Sequence, residues 1–361
     1  MRVLHIVNDA ETGGAQTLIE QLLLSRQAGD EAHLLVLLGP GALSARLEAA
    51  ATSTSYVGMN RRSVVPAKAV RTVRGLVKKH GIDVVHSHLH QSDLINEITP
   101  HGAAKVSTLH SSLNVASTSA AGVVWRMVAA LSPRLDAVVA CSQSAKDFAV
   151  TFGYRFPAEE IRVIANGTVT ANAPAPEPQG PPVLLHLARY AEAKDHPTLF
   201  DAFQRVLRRH PEARLVCAGH RVDADNAQLT AHLDRLGIRD SVDLLGSVGD
   251  VRALIRRAHA MVFSSYHEAL PMAGIEALSE GVPVITTDTG DARVLAVDPE
   301  MVVPVRDAPA LARAVSGYLD HSHDHRADVR RRSWELARER FDARGAARRY
   351  AQLYDALNAR R

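Results

Sequence analysis

The stretch "SSYHEALPMAGIEALSEGVPVITT" (residues 264–287) reads as the end of a buried strand, a short helix and a second buried strand. The apolar run AMVFSS (260–265) leads into it and VPVITT (282–287) leads out. Pro271 suits the first turn of the helix, where its missing N–H is no loss. Strands that are apolar throughout, joined by helices, belong to parallel sheets covered on both faces. Two carboxylates, Glu268 and Glu276, stand eight residues apart in this apolar frame. Glu268 falls in the loop ahead of the helix. Glu276 is expected about two turns along it, flanked on one face by the small residues Ala273 and Ala277.

Outward from this stretch the same alternation fills the chain. Strands are expected at RVLHIV (2–7), HLLVLL (33–38), DVVHSH (83–88), KVSTLH (105–110), DAVVACS (136–142) and IRVIAN (161–166). The pattern stops at NAPAPEPQGPP (172–182), where five of eleven residues are proline, a composition that resists helix and ladder alike. It restarts with VLLHLA (183–188), RLVCAG (214–219), VDLLG (242–246), AMVFSS, VPVITT and MVVPV (301–305). The expected fold is α/β, with two doubly wound Rossmann-like domains, 1–171 and 183–342, joined by the linker 172–182 and facing across a cleft. A length of 361 residues suits two domains. In such open sheets ligands bind beyond the carboxyl ends of the strands, where the strand order reverses.

Composition narrows the function. With 42 basic and 39 acidic side chains the net charge is only +3, too balanced to suggest nucleic acid as a partner. Cys141 and Cys217 sit inside apolar runs and read as small buried residues, not a disulfide. The N-terminus lacks the apolar core of a signal peptide, and no run approaches the ~20 apolar residues that span a bilayer. The expected location is cytoplasmic, with room for peripheral contact on the inner face of a membrane. NRRSVVPAKAVRTVRGLVKKHG (60–81) puts Arg61, Arg62, Lys68, Arg71, Arg74, Lys78 and Lys79 on or beside one amphipathic helix. That face suits anionic headgroups. A solvated face with Val70, Val73 and Val77 inward is the other reading.

The carboxylates call for a hydroxylated ligand. A helix N-terminus offers open amides and partial positive charge to phosphate, while a carboxylate accepts from hydroxyls. A nucleotide-sugar combines a ribose diol, a diphosphate and a second hydroxylated ring over that span. Arg189 and Lys194, just past strand 183–188, would supply cations for the diphosphate. In the first domain Gly13 and Gly14 follow strand 2–7 and permit positive φ and close backbone approach. His86, His88 and His90 would share one face of a strand, which raises a metal site. No carboxylate or cysteine lies at matching spacing, so no metal is assigned. Asp223 and Asp225 of the "DAD" loop are likewise read as polar loop residues. His110, closing strand 105–110, is a candidate for chemistry or a buried structural histidine.

Together these residues resemble family 4 of the retaining glycosyltransferases, which have the GT-B fold. Residues 264–287 are similar to that family's E-x7-E element. Arg189 and Lys194 match its G-R-L-x3-K-G element, with Ala188, Tyr190 and Asp195 at the G, L and last G positions. TGGAQ (12–16), STLH (107–110) and VIANG (163–167) resemble its first-loop, T-x-H and P-N-G segments. The resemblance implies that the N-terminal domain takes the acceptor and the C-terminal domain the donor. It implies that Glu276 holds the ribose and that Arg189, Lys194 and the backbone around Ala269 and Leu270 hold the diphosphate. Glu268 would meet donor-sugar hydroxyls and His110 the transferring sugar, beside Gly13 and Gly14. No cofactor is implied beyond the nucleotide-sugar, for which a UDP-linked hexose is expected, and the acceptor is a hydroxyl, lipid-linked or soluble. Two departures stand out. Ala269 replaces a glycine, and CAGHRVDADNAQL (217–229) lacks Gly-x-Gly-Pro. An epimerase-like enzyme lacks the E-x7-E pair. A two-lobed binding protein without turnover is the non-enzymatic alternative.

The tail, RRRSWELARERFDARGAARRYAQLYDALNARR (330–361), repeats Trp334, Leu336, Phe341, Tyr350, Leu353, Tyr354 and Leu357 at helical spacing. Gly345 would allow a break between two helices. The resemblance implies that 343–361 crosses back to the N-terminal domain.

Overall fold

The computed structural model describes residues 1–11, 13–60, 67–110 and 120–361. Thr12 of the glycine loop and Arg61 and Arg62 of the basic segment lie outside the described residues. The chain divides into two compact units, Met1–Gly167 with Ala343–Arg361, and Thr168–Asp342.

In unit 1 the strands are β1 (Arg2–Val7), β2 (Glu31–Val36), β3 (Ser53–Tyr56), β4 (Val84–His88), β5 (Ala104–Leu109), β6 (Ala137–Ala140) and β7 (Arg162–Val163). Among the described residues they form a sheet in the order β3-β2-β1-β4-β5-β6-β7, every pair parallel. The order reverses between β1 and β4. Helices α1 (Gly14–Leu24), α2 (Ser44–Ala50), α3 (Ala67–His80), α4 (His90–Ile98), α5 (Ala120–Leu131) and α6 (Gln143–Phe152) make the crossovers. Strand β3, sequence STSY, is too short and polar to announce itself and lies at the sheet edge. In α3 the inward residues are Ala69 and Val73, with Val70, Leu76 and Val77 packed beside them, while Arg71, Arg74, Lys78 and Lys79 are exposed.

Unit 2 repeats the plan with β8 (Val183–Leu187), β9 (Arg214–Ala218), β10 (Val242–Leu244), β11 (Ala260–Val262), β12 (Val284–Thr287) and β13 (Val302–Val303). Their order is β10-β9-β8-β11-β12-β13, again parallel, with the reversal between β8 and β11. The helices are α7 (His196–Leu207), α8 (Ala227–Leu236), α9 (Val251–Arg256), α10 (Met272–Ser279), α11 (Ala308–Asp320) and α12 (His323–Arg340). Leu199, Phe200 and Phe203 of α7 and Leu311 and Val315 of α11 close the core over Leu184, Leu215 and Val262.

The proline segment differs from the expected spacer. The units part at Gly167–Thr168, ahead of residues 172–182, and the segment lies on unit 2 as a strap. Ala171 and Ala175 donate to the carbonyls of Ser279 and Glu280 at the end of α10. Arg330 of α12 donates to the Ala175 carbonyl, and the buried Glu177 carboxylate pairs with Arg326 and His323. Proline removes donors but leaves carbonyls, and the arginines use them. The returning chain runs beside the outgoing one, since the Thr168 N–H donates to the Phe341 carbonyl at 2.8 Å.

The last helix, α13 (Ala343–Asn358), belongs to unit 1. Its Tyr350, Leu353, Tyr354 and Leu357 bury against Val3, Val84, Val106 and Val139 of the sheet. The break between α12 and α13 falls at Phe341–Asp342. Gly345, the expected break point, is inside the first turn of α13. Among the described residues no helix is long and apolar enough to cross a membrane.

Candidate functional site

In unit 2 the reversal of strand order lies between β8 and β11, and both carry candidate residues on their carboxyl ends. The chain leaving β8 is tied to the chain leaving β9, Ala188 N–H to the Ala218 carbonyl and Tyr190 N–H to the His220 carbonyl. Between them Arg189 projects into solvent. Lys194 closes a single 3-10 turn, Glu192–Lys194. Asp195 then takes a left-handed conformation (φ 49°) and caps α7 by accepting from the Thr198 N–H and hydroxyl. This accounts for one departure from the family pattern: aspartate tolerates that conformation and adds a cap a glycine lacks.

The loop after β11 is laced to this turn. The Tyr266 N–H donates to the Ala193 carbonyl at 3.0 Å and the Ser264 hydroxyl to the Lys194 carbonyl at 2.9 Å. The lacing brings two predicted residues together. The Lys194 ammonium forms an ion pair with the Glu268 carboxylate, which also accepts from the Ser265 hydroxyl at 2.9 Å. Their side chains are 21% and 10% exposed, so the pair is sheltered but open to a ligand.

Glu276 is the fifth residue of α10, about one turn along it rather than two, because the helix begins at Met272 with Pro271 as its N-cap. It is half-buried beside Ala273, whereas Ala277 is fully buried in the core and does not flank it. Pro271 gives α10 no side-chain cap and no acidic residue occupies its first turn; the Gly274 N–H turns back to the Pro271 carbonyl at 3.1 Å, and among the described residues the Met272 and Ala273 amides ahead of it are the ones an anion could meet. Ala269 and Leu270 are buried. Ala269 has no positive φ, so the alanine that replaces the family glycine is unstrained.

The glycine that matters is Gly290, which sequence reasoning missed. It has φ 51°, and a Cβ there would sit 1.9 Å from the Glu268 carbonyl oxygen. The next residue, Asp291, donates its N–H to the Ala269 carbonyl at 2.8 Å. The "DTGD" turn after β12 thus presses on the Glu268 loop, and the T-G-D signal was legible only as a generic turn. Below the loop lie two further unpredicted residues, His186 and His196, with rings 5.0 Å apart. His186 holds the Val262 carbonyl through Nδ1 at 2.8 Å. Burial pushes the two down to about 4 and about 3, so both are neutral near pH 7.

In unit 1 the glycine loop differs from expectation. Gly13 caps α1 with an extended backbone (φ −173°), and neither Gly13 nor Gly14 has a positive φ. A Cβ at Gly13 would lie 2.5 Å from Oε1 of Gln16, so a side chain there would have to displace the end of Gln16. Gln16 is itself held by Asp9 Oδ1 at 2.8 Å.

The histidines also regroup. His86 and His88 share a face of β4, but His90 opens α4 and packs its ring against Trp125, centroids 3.8 Å apart and tilted by 43°. His5 of β1 takes the third place, and His5, His86 and His88 each bring a nitrogen within 4.8 Å of the others. Those nitrogens are in use. His86 meets the Tyr354 and Thr108 hydroxyls at 2.6 and 2.7 Å, and His5 Nδ1 meets His88 Nε2 at 3.2 Å. His88 Nδ1 in turn meets His110 Nε2 at 3.1 Å, and among the described residues the buried His110 Nδ1 has no partner. Burial lowers His110 to about 4. Asp223 and Asp225 are not part of this group, and among the described residues no other set of histidine, cysteine or carboxylate ligands converges.

Two doubly wound α/β units with ligand-grade residues at a strand-order reversal define the GT-B class of glycosyltransferases. The structure of Anabaena HepE in complex with UDP-glucose superposes with a TM-score of 0.81 over 99% of this chain and 100% of that one, at 19% identity. The family model for glycosyl transferases group 1 matches residues 170–335, and that for glycosyltransferase family 4 matches 12–172. Glycogen synthase of Mycobacterium tuberculosis is 30% identical over 75% of this chain and 68% of its own length. GDP-mannose:cellobiosyl-diphosphopolyprenol alpha-mannosyltransferase of Xanthomonas campestris is 25% identical over 99% of this chain and 97% of its own. The chain belongs to the group 1 glycosyltransferases, family 4.

Proposed function

We propose that the protein is a retaining glycosyltransferase that moves a hexose from a UDP-linked donor to a hydroxyl acceptor. The observation that carries this reading is the sheltered Lys194–Glu268 pair at the reversal of unit 2, with Glu276 eight residues on in α10. Glu276 accepts from the ribose diol. Arg189, Lys194 and the open amides of α10 take the charge that grows on the diphosphate as it leaves, which favours the transition state over the bound donor. Glu268, already holding Lys194, accepts from the donor-sugar hydroxyls. The acceptor oxygen attacks on the face the diphosphate vacates and its proton passes to a phosphate oxygen, so no protein nucleophile is required. Positioning supplies the remainder. His110, with Gly13 and Gly14, is assigned to the transferring sugar.

The assignment of charge to side chains and amides carries the further proposal that no resident metal is needed. Release of UDP from UDP-glucose should persist in excess EDTA and collapse in an Arg189→Ala/Lys194→Ala variant whose melting curve is unchanged. Chelation that abolishes release, with rescue by a divalent ion, would sink the metal-free reading. Nucleotide binding without release on any acceptor would favour a binding protein. GDP-mannose belongs in the same assay, because the relative that spans nearly the whole chain is named for that donor. Its named acceptor is lipid-linked, and the exposed Arg71, Arg74, Lys78 and Lys79 of α3 favour such an acceptor here over a soluble one.

A further inference from the structure

One face of the unit 1 sheet changes character along its strands. Toward the amino ends it is apolar, with Val3, Val84 and Val106 packed under α13. Two or more residues on, at the same side-chain parity, come His5 on β1, His86 and His88 on β4, and Thr108 on β5 with His110 just past its end. Register places His5 beside His86, Val7 beside His88 and His88 beside Thr108. The histidines therefore occupy the carboxyl-end half of this face, the end at which sheets of this kind bind ligands. Burying imidazole in place of an apolar side chain is costly unless its nitrogens are bonded.

They are bonded in sequence. His5 Nδ1 meets His88 Nε2 at 3.2 Å, and His88 Nδ1 meets His110 Nε2 at 3.1 Å. The chain ends at His110 Nδ1, a buried atom with no partner among the described residues. We infer that His5 and His88 are positioning residues, a hydrogen-bonded chain that locks the ring and tautomer of His110 and presents its Nδ1 to a sugar hydroxyl. This rests on the assignment of His110 to the transferring sugar. Neutral imidazole carries one N–H, and which nitrogen bears it is set by the bond the other makes. Burial holds all three rings neutral, His5 and His110 at about 4 and His88 well below its ordinary value. Three rings then carry three protons, two of which lie within the chain's own bonds. The third is at one end or the other, so the tautomers of His5, His88 and His110 must all point the same way. A second chain, Tyr354–His86–Thr108–Tyr350, runs alongside and clamps the His86 ring 4.0 Å from the His88 ring, tilted by 39°. A shared metal ion would have to break these bonds to claim the same nitrogens.

Nitrogen-15 spectra of the full chain labelled at histidine, at neutral pH, test this without turnover. Each of His88 and His110 should show one protonated and one bare ring nitrogen, and His5→Leu should disturb the His88 signals. Mixed tautomers or an imidazolium at His110 would overturn the inference, as would a stoichiometric metal ion in the purified protein. Kinetics with UDP-glucose and GDP-mannose add a second reading. His88→Leu should lower kcat about tenfold or more while KM for the donor stays within about twofold, the size of effect seen when a partner that orients a histidine is lost. His88→Asn, which keeps a polar atom near Nδ1, should recover most of it. Wild-type kcat in His88→Leu with an inactive His110→Ala would defeat the chain and leave His110 in place. Wild-type kcat in His110→Ala would defeat the assignment on which the inference rests.

Discussion

At the scale of single residues, the Glu268 loop is held by contacts that leave little room. Gly290 meets the Glu268 carbonyl so closely that Gly290→Ala must move one or the other, and its φ of 51° adds backbone strain. We expect Gly290→Ala to lower the donor-release rate by at least about tenfold and to destabilise unit 2 by about 1 kcal/mol or more, read from initial rates and a urea melt. A variant with wild-type rate and stability would show that the loop is not shaped by this turn. Glu276→Ala should weaken UDP binding by about 1–3 kcal/mol, the range for hydrogen bonds to a charged group. Calorimetry finding unchanged affinity for UDP and for GDP would take Glu276 out of the ribose site. The two carboxylates were legible because they interrupt an apolar stretch. Gly290 was not, since nothing in its sequence context tells a close contact from an ordinary turn.

At the scale of elements, α13 is the informative case. Its apolar stripe was visible in the sequence, but the partner of that stripe was not. In the structure Tyr350, Leu353, Tyr354 and Leu357 cover Val3, Val84, Val106 and Val139. Leu353→Ala should therefore cost about 2–5 kcal/mol, the usual range for opening a buried leucine site, and hydrogen exchange should rise in β1, β4 and β5 and not in β8 to β12. Removal of residues 343–361 should unfold unit 1 instead of merely slowing the reaction. A truncated chain with native exchange protection in β1 and β4 would contradict this packing. The proline strap teaches a similar lesson. Its composition marks an interruption correctly, yet Arg330, Glu177 and Arg326 decide that the segment lies on unit 2.

At the scale of the whole molecule the buried titratable groups set a pH dependence. His5 and His110 lie at about 4 and His90 at about 3, with His86 and His88 well below their ordinary value, all through burial. A depressed histidine stabilises the fold above its unfolded value near 6.5, and that stability is lost as pH falls toward the folded value. Asp93 and Glu97 run the other way. Burial raises them to about 7 and about 9, so their contribution is full at low pH and disappears as pH rises through those values. These five histidines, joined by His186 and His196 of unit 2, outweigh two carboxyls on the acid side. The melting temperature should peak near neutral pH, fall steeply between about pH 6.5 and about pH 4.5, and decline gently toward about pH 9. A melting temperature that rises on acidification from neutral pH would mean that these histidines are not buried as neutral rings.

What the sequence determined by itself follows from local chemistry. The strand-like runs at 2–7, 83–88, 183–188 and 260–265, alternating with helical stretches, point to parallel strands covered on both faces, and that pattern carries the two-sheet α/β fold. Glu268, Arg189 and Lys194 fall where such strands end, so their candidacy needed no coordinates. Only the tertiary structure could show that Lys194 and Glu268, 74 residues apart, share one ion pair. It alone brought His5 to His88 across 83 residues and put Tyr354 on His86 across 268. Side-chain periodicity is a property of neighbours along the chain, whereas these contacts depend on strand order and register, which are settled by how whole elements pack.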